Sequence, residues 1–374
     1  MNKVPHTDRS RVYLNVLDFF AKERLFLVVI LVGFLLAEIM MGFGQSAMWV
    51  GFLFAAYAAV ANDSIQTIGT FIESNKNKKW YILWLFIGSI FLVTVFVSWW
   101  VYDGDVTYQR LGSEGHTNYP HPTQFSYFQL IAPLILLILT RLRMPVSTTF
   151  LLLSVFSSDS SGISSVVWKS VTGYGLAFVL SFIVWYTLYN TIRKYFKKRK
   201  MNPGWTLIQW LVSGSLWAVW VMQDGANIAV YLPRQMSPGQ FSIFAITIFL
   251  GLGLLFYLRG DKIQRIVSEK ARISDIRAAT LVDLTYVILL IYKLLISTIP
   301  LSTTWVFLGI IGGREIAISR SRKKKGSKHR KKAINMILRD FGFALIGLLV
   351  SVILATGANE TLREEILEAI RSLF

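Results

Sequence analysis

The chain contains no cysteine. Disulfides, thiolate nucleophiles and thiolate-ligated metals are therefore excluded. Histidine is scarce as well. His6, His116, His121 and His329 are the four, and none is paired with another at metal-ligand spacing, so no metal site is expected. Only 16% of the residues are Asp, Glu, Lys or Arg, against about 25% in soluble proteins. No nucleophile elbow, P-loop or HExxH sequence occurs, so no enzyme is expected.

What fills the chain is apolar. Of its 374 residues, 54% are hydrophobic, and the mean hydropathy is +0.51. Apolar runs of about 20 residues recur, the length that a lipid hydrocarbon core demands. They fall at 25–42, 47–71, 80–100, 125–142, 166–190, 205–232, 241–258, 278–296 and 341–355, with shorter runs at 145–156 and 300–311. The first follows a polar Met1–Arg24 segment and contains Glu38, which favours an uncleaved span over a signal peptide. Residues 361–374 read as an amphipathic helix with Leu362, Ile366, Ile370 and Leu373 on one face and a Thr361/Glu364 capping box. The expected class is an all-α polytopic membrane protein.

A net charge of +18 would suggest nucleic acid in a soluble protein. Here its placement matters more than its size. With the N-terminus in the cytoplasm and each run crossing once, the inside segments hold 32 of the 39 Lys and Arg and the outside segments hold four. That asymmetry fits the positive-inside rule. The basic stretch 314–332 reads as a cytoplasmic loop anchored on anionic lipid, and no nucleic acid partner is expected. The localisation expected is a bacterial or archaeal plasma membrane.

Two polar motifs occur twice, in the same order. Ala61-Asn62-Asp63 and Gly225-Ala226-Asn227 interrupt apolar runs; Pro145-Val146-Ser147-Thr148-Thr149-Phe150 and Pro300-Leu301-Ser302-Thr303-Thr304-Trp305 follow them. The Asn-to-Pro separations are 83 and 73 residues. Under the charge-derived topology each half holds five crossings, an odd number, so the halves are inverted, as in many secondary transporters. The expected organisation is an N-terminal segment and first span at 1–45, a first repeat at 46–192, a basic linker at 193–204, a second repeat at 205–356 and the terminal helix at 357–374.

A polar break in a span frees backbone groups, so two broken helices and two short half-helices meeting at the midplane are expected. Asp63 is costly inside a membrane unless an ion or proton compensates it. Asp63, Gln66, Asp224 and Asn227 are the candidate cation-coupling residues. Ser147, Thr148, Thr149, Ser302, Thr303 and Thr304 would place hydroxyls at helix N-termini, an anion cradle without a fixed cation. With Asn62, Asp63 and Asn227 they form the candidate substrate site.

These paired motifs resemble the PiT family of inorganic phosphate transporters, which includes some sulfate permeases. Its signatures look like GANDVANxxG and PVSTTH, once per half. Asn62, Asp63, Gly69 and Thr70 match in the first half, with Gln66 where the family has its second Asn; Gly225, Ala226 and Asn227 match in the second. Ile228 stands where the family has aspartate, and Phe150 and Trp305 stand where it has histidine. The family often carries Glu 16 residues before the motif proline; here that position is Gln129, and Asp283 is one residue off in the second half. The resemblance implies a Na⁺- or H⁺-coupled symporter of phosphate or a related oxyanion, with no cofactor beyond the coupling ion, and a homodimer. A non-transporting sensor or anchor is the alternative that Ile228 and the 314–332 stretch suggest.

Overall fold

The computed structural model describes residues 8–112, 119–142, 144, 146–198, 202–258, 275–296, 301–321 and 326–371, without the side chains of 8–22, 65, 190–193, 195–198, 326–329, 369 and 370. All the regular structure among them is helical. The helices are α1 (Asp8–Met40), α2 (Gly44–Ser74), α3 (Trp80–Val101), α4 (Tyr127–Arg141), α5 (Ser160–Lys198), α6 (Gly204–Ala229), α7 (Pro238–Tyr257), α8 (Ile276–Ile296), α9 (Thr303–Ser321), α10 (Gly326–Ala358) and α11 (Glu360–Arg371). Seven helices, α2, α3, α5, α6, α7, α8 and α10, contain stretches long and apolar enough to cross a membrane; α4 is apolar but has only 15 residues. The chain is a multi-span helical membrane protein.

Contacts between connectors sort them into two ends. At one, Arg141 pairs with Glu23, Asn75 bonds Gln209 at 2.9 Å and Trp80 packs on Tyr257 at 5.3 Å. Lys76, Lys78 and Lys79 lie here, so this is the basic end. At the other, Met236 N–H donates to the Gly104 carbonyl at 2.9 Å, Arg234 to Tyr119 O at 2.6 Å, and Asn359 to Ser157 O at 2.9 Å. Arg234 also donates to the carbonyls of Val230 and Leu232. It thus places a cation on the C-terminus of α6, where free carbonyls and the helix dipole favour one. These pairings match the two sides that the charge count requires.

The expected breaks are absent. α2 runs unbroken through Asn62-Asp63, and α6 through Asp224–Asn227. The physical reason is lateral: the polar side chains find partners on neighbouring helices, so the backbone need not open. The two Ser-Thr-Thr segments also differ. The first continues as one π-type turn, Thr149–Leu153, then a 3₁₀ turn, Ser154–Phe156. The second opens the regular 19-residue helix α9. That helix carries Arg314–Ser321, and α10 begins at Gly326, so the basic stretch 314–332 is largely helical and not a loop; residues 322–325 lie outside the described residues. Arg314 is 9% exposed and stacks over Trp185 at 4.9 Å.

α5 and α9 run side by side in the same direction at backbone contact. A Cβ on Gly309 would lie 2.5 Å from Tyr174 O, and one on Gly313 2.2 Å from Phe178 O. Between helices in lipid, small residues supply the close packing that hydrophobicity cannot. Ser181 adds a hydroxyl bond to Ile310 O at 2.7 Å. The amphipathic α11 lays Leu362 and Ile366 on Ile163 and Ala355. Its cap is Asn359, which accepts from Leu362 N–H at 3.4 Å, not the expected Thr361. Leu373 lies outside the described residues, as does the side chain of Ile370.

Candidate functional site

The two Ser-Thr-Thr segments cross in opposite directions at the centre of the fold. The first leaves the basic end after Arg141; the second returns toward it alongside α5. Pro145 and Pro300 lie outside the described residues. Ser147 accepts from Phe150 N–H, and Ser302 from Trp305 N–H, each at 3.2 Å. Both serines therefore cap their own segments. Each hydroxyl accepts there through a lone pair and keeps its own proton to donate.

The first threonine of each segment binds a carboxylate. Thr148 donates to Asp63 at 2.6 Å and accepts from Asn62 at 3.0 Å. Thr303 donates to Asp224 and accepts from Trp220 Nε1 at 3.3 Å. The second threonine reaches the opposite segment. Thr149 donates to Leu301 O and Thr304 to Val146 O, both at 3.4 Å. Asn227 donates to Thr149 at 3.2 Å. The halves thus exchange matched bonds about a local two-fold relation.

Asp224 fills the place that Ile228 was expected to have vacated. It lies four residues, one helical turn, earlier on α6. Ile228 itself is 4% exposed and packs in the apolar core. The second half therefore has not lost its carboxylate. Asn62 is held further by Thr140 and Gln66, each donating to its Oδ1 at 3.3 Å. Gln66 is half-buried and supports Asn62.

Asn62, Asp63, Asp224, Asn227 and all six motif hydroxyl residues are 5% exposed or less. Among the described residues, Asp63 Oδ2, Asp224 Oδ1 and Asn227 Oδ1 are buried acceptors with no hydrogen-bond donor. Asp63 and Asp224 lie close enough to repel each other, and Arg110 in the 102–112 connector attracts Asp224. Burial lowers the affinity of Arg110 for its proton, and the Asp224 charge partly offsets this. Phe150 and Trp305 meet edge-on across the segments, centroids 5.4 Å apart at 90°.

Sequence reasoning missed Thr140 and Trp220, and it noted Asp283 only as one residue off the family's Glu position. Trp220 lies one turn from Asp224 on α6, a spacing that could have flagged it. Thr140 carries no such signal. Asp283 is 1% exposed and accepts from Thr70 and Ser213, each at 2.6 Å. No family model, characterised protein or solved structure matches the chain.

Proposed function

We propose that this protein is a secondary transporter of PiT type, coupling a small oxyanion such as phosphate or sulfate to Na⁺ or H⁺. The observation that carries the reading is the matched pair of carboxylates. Each half supplies one, each is held by that half's first motif threonine, and each keeps an oxygen that no donor reaches. Buried carboxylates inside a span need a compensating ion or proton. Asp63 Oδ2, Asp224 Oδ1 and Asn227 Oδ1 are the hard oxygen donors that suit such a cation.

Coupling follows from the hydroxyls. Thr148 and Thr303 spend their protons on Asp63 and Asp224. A cation on the carboxylates weakens those acceptors. The two hydroxyls are then free to donate to an oxyanion, which the added positive charge also attracts. The anion is thus favoured only after the cation is bound. The sensor alternative loses one support, since Asp224 replaces the carboxylate missing at Ile228. The positive-inside rule assigns the basic end to the cytoplasm.

The test is uptake of labelled phosphate and sulfate into proteoliposomes under a Na⁺ or pH gradient. Gradient-driven uptake, lost in Asp63→Asn and Asp224→Asn, is expected. Absence of uptake of both anions under both gradients refutes the reading.

A further inference from the structure

Asp283 belongs to neither motif, yet it is a second buried carboxylate station below the first. It projects from α8 between α2 and α6. Thr70 of α2 bonds one oxygen and Ser213 of α6 the other, both at 2.6 Å. Toward the basic end follows another polar group. Asn75 donates to Gln209 at 2.9 Å, Trp210 Nε1 donates to Asn75 at 3.1 Å, and Gln209 donates to Ser74. Toward the centre, Asp63, Gln66 and Thr67 continue along α2.

The spacing suits a route. At 1.5 Å per residue, Asp63 lies about 10 Å along α2 from Thr70, and Thr70 about 6 Å from Ser74. Together these steps cover about 16 Å, close to half of a ~30 Å hydrocarbon core. The opposite direction is different. Beyond Asn227, Tyr231 stacks on Phe125 at 6.2 Å and meets Phe156 edge-on at 4.8 Å, all three buried. On that side the centre meets aromatic packing and the cation Arg110, whose charge reaches Asp224 and opposes a departing cation; the uncharged polar file lies on the basic side.

Trp217 and Trp220 stand between the two carboxylate levels on α6, stacked at 4.8 Å with 8° between their planes. Their Nε1 groups are tied to Ile87 O at 3.1 Å and to Thr303 Oγ1 at 3.3 Å. The second tie joins this barrier to the threonine that holds Asp224.

We propose that Asp283, with Thr70 and Ser213, is the exit station through which the coupling cation or proton leaves the central site toward the basic end. This rests on the transport reading above. The carboxylate accepts the ion from the Asp63–Asp224 level, and the hydroxyls turn from donating to it toward presenting oxygen to the ion. The Trp217–Trp220 pair shifts to let the ion pass. Asp283 is then a coupling residue and not merely a tie among three helices.

Net uptake and exchange separate the two roles. Net uptake requires the ion to leave on the far side. Exchange of anion for anion, with the same anion and saturating cation on both sides, does not. The full-length chain in proteoliposomes is assayed both ways with labelled phosphate and labelled sulfate. Asp283→Asn is expected to cut gradient-driven net uptake by about tenfold or more and leave exchange within about twofold. Asp283→Glu, which keeps the charge, is expected to restore part of the net uptake. Asp63→Asn is expected to lose both activities. An equal loss of both in Asp283→Asn, or no loss of either, overturns the proposal. A wild-type chain inactive in both assays overturns the transport reading and this inference with it.

Discussion

In the first half the carboxylate that meets the motif threonine follows its asparagine directly, as Asn62-Asp63. In the second it precedes the asparagine by three residues, Asp224 to Asn227. α6 starts at the basic end, so this displacement moves the carboxylate one turn, about 6 Å, toward that end relative to position 228. The contact is nevertheless the same: threonine hydroxyl to carboxylate, with a second donor on the same hydroxyl. That donor is Asn62 in one half and Trp220 in the other. What the halves share is a constellation in space, which a helix can supply from positions i or i−4.

The segments around the threonines differ in another way. The first is short and irregular, and Phe150, Leu151, Leu152 and Leu153 are all buried by side-chain packing. The second is a regular helix pressed on α5 through Gly309 and Gly313. A π-type turn is rare and often sits at functional sites. The first segment is therefore the better candidate for the moving partner, and the second for the fixed one.

The strongest test of this comparison is to force the second half into the first half's register. Asp224→Ala with Ile228→Asp is expected to stay about 100-fold or more below wild type in uptake, because the new carboxylate sits one turn away from Thr303. Recovery of uptake would show that the turn of displacement does not matter. Next come the packing modes. Gly313→Ala is expected to destabilise by more than about 3 kcal/mol, since the added carbon meets a carbonyl that cannot yield. Leu152→Ala is expected to cost about 2–5 kcal/mol through a cavity alone. Thermal unfolding in detergent measures both, and a mild Gly313→Ala would undo the fixed-partner argument.

A smaller effect is expected at the threonines. Thr148→Val and Thr303→Val each remove one hydrogen bond to a carboxylate, about 1.5–3 kcal/mol. Similar losses of uptake in the two variants are expected, and a large inequality would mean that the halves are not matched in chemistry. The smallest effect is in the outer clasp. His121 contacts Tyr231 O at 3.2 Å. Burial, and then the charge of Arg234, lower its proton affinity below the ordinary value. The clasp should keep full strength above pH ~6.5, the ordinary histidine value, and weaken as pH falls below it toward the lowered one. Hydrogen exchange of residues 119–125 at stepped pH reads this; protection that rises on acidification would contradict it.

Much of this was legible beforehand. Apolar runs of about 20 residues left helices spanning a membrane as the class, and the repeated Ser-Thr-Thr segments marked where the halves meet. The sequence points to breaks at Asn62-Asp63 and Asp224–Asn227, and the helices run on, because a polar residue in an apolar run looks the same whether the backbone opens or a neighbour satisfies the side chain. The neighbours, Thr140 and Thr148, lie 78 and 86 residues from Asn62, a distance that no local pattern reveals. The basic stretch reads as a loop in the sequence because charge argues for a water-facing position, but helices also face water.

By itself, the sequence determined that the chain is helical and apolar, and that its connectors divide by charge, since hydrocarbon admits few other solutions for such a composition. It also determined which residue types gather at the centre. Only the tertiary structure decided that Asp224 replaces the missing carboxylate, that the serines cap and the threonines bind, and that Asp283 lies below them. Those are contacts between helices far apart in the chain, set by packing and not by local spacing.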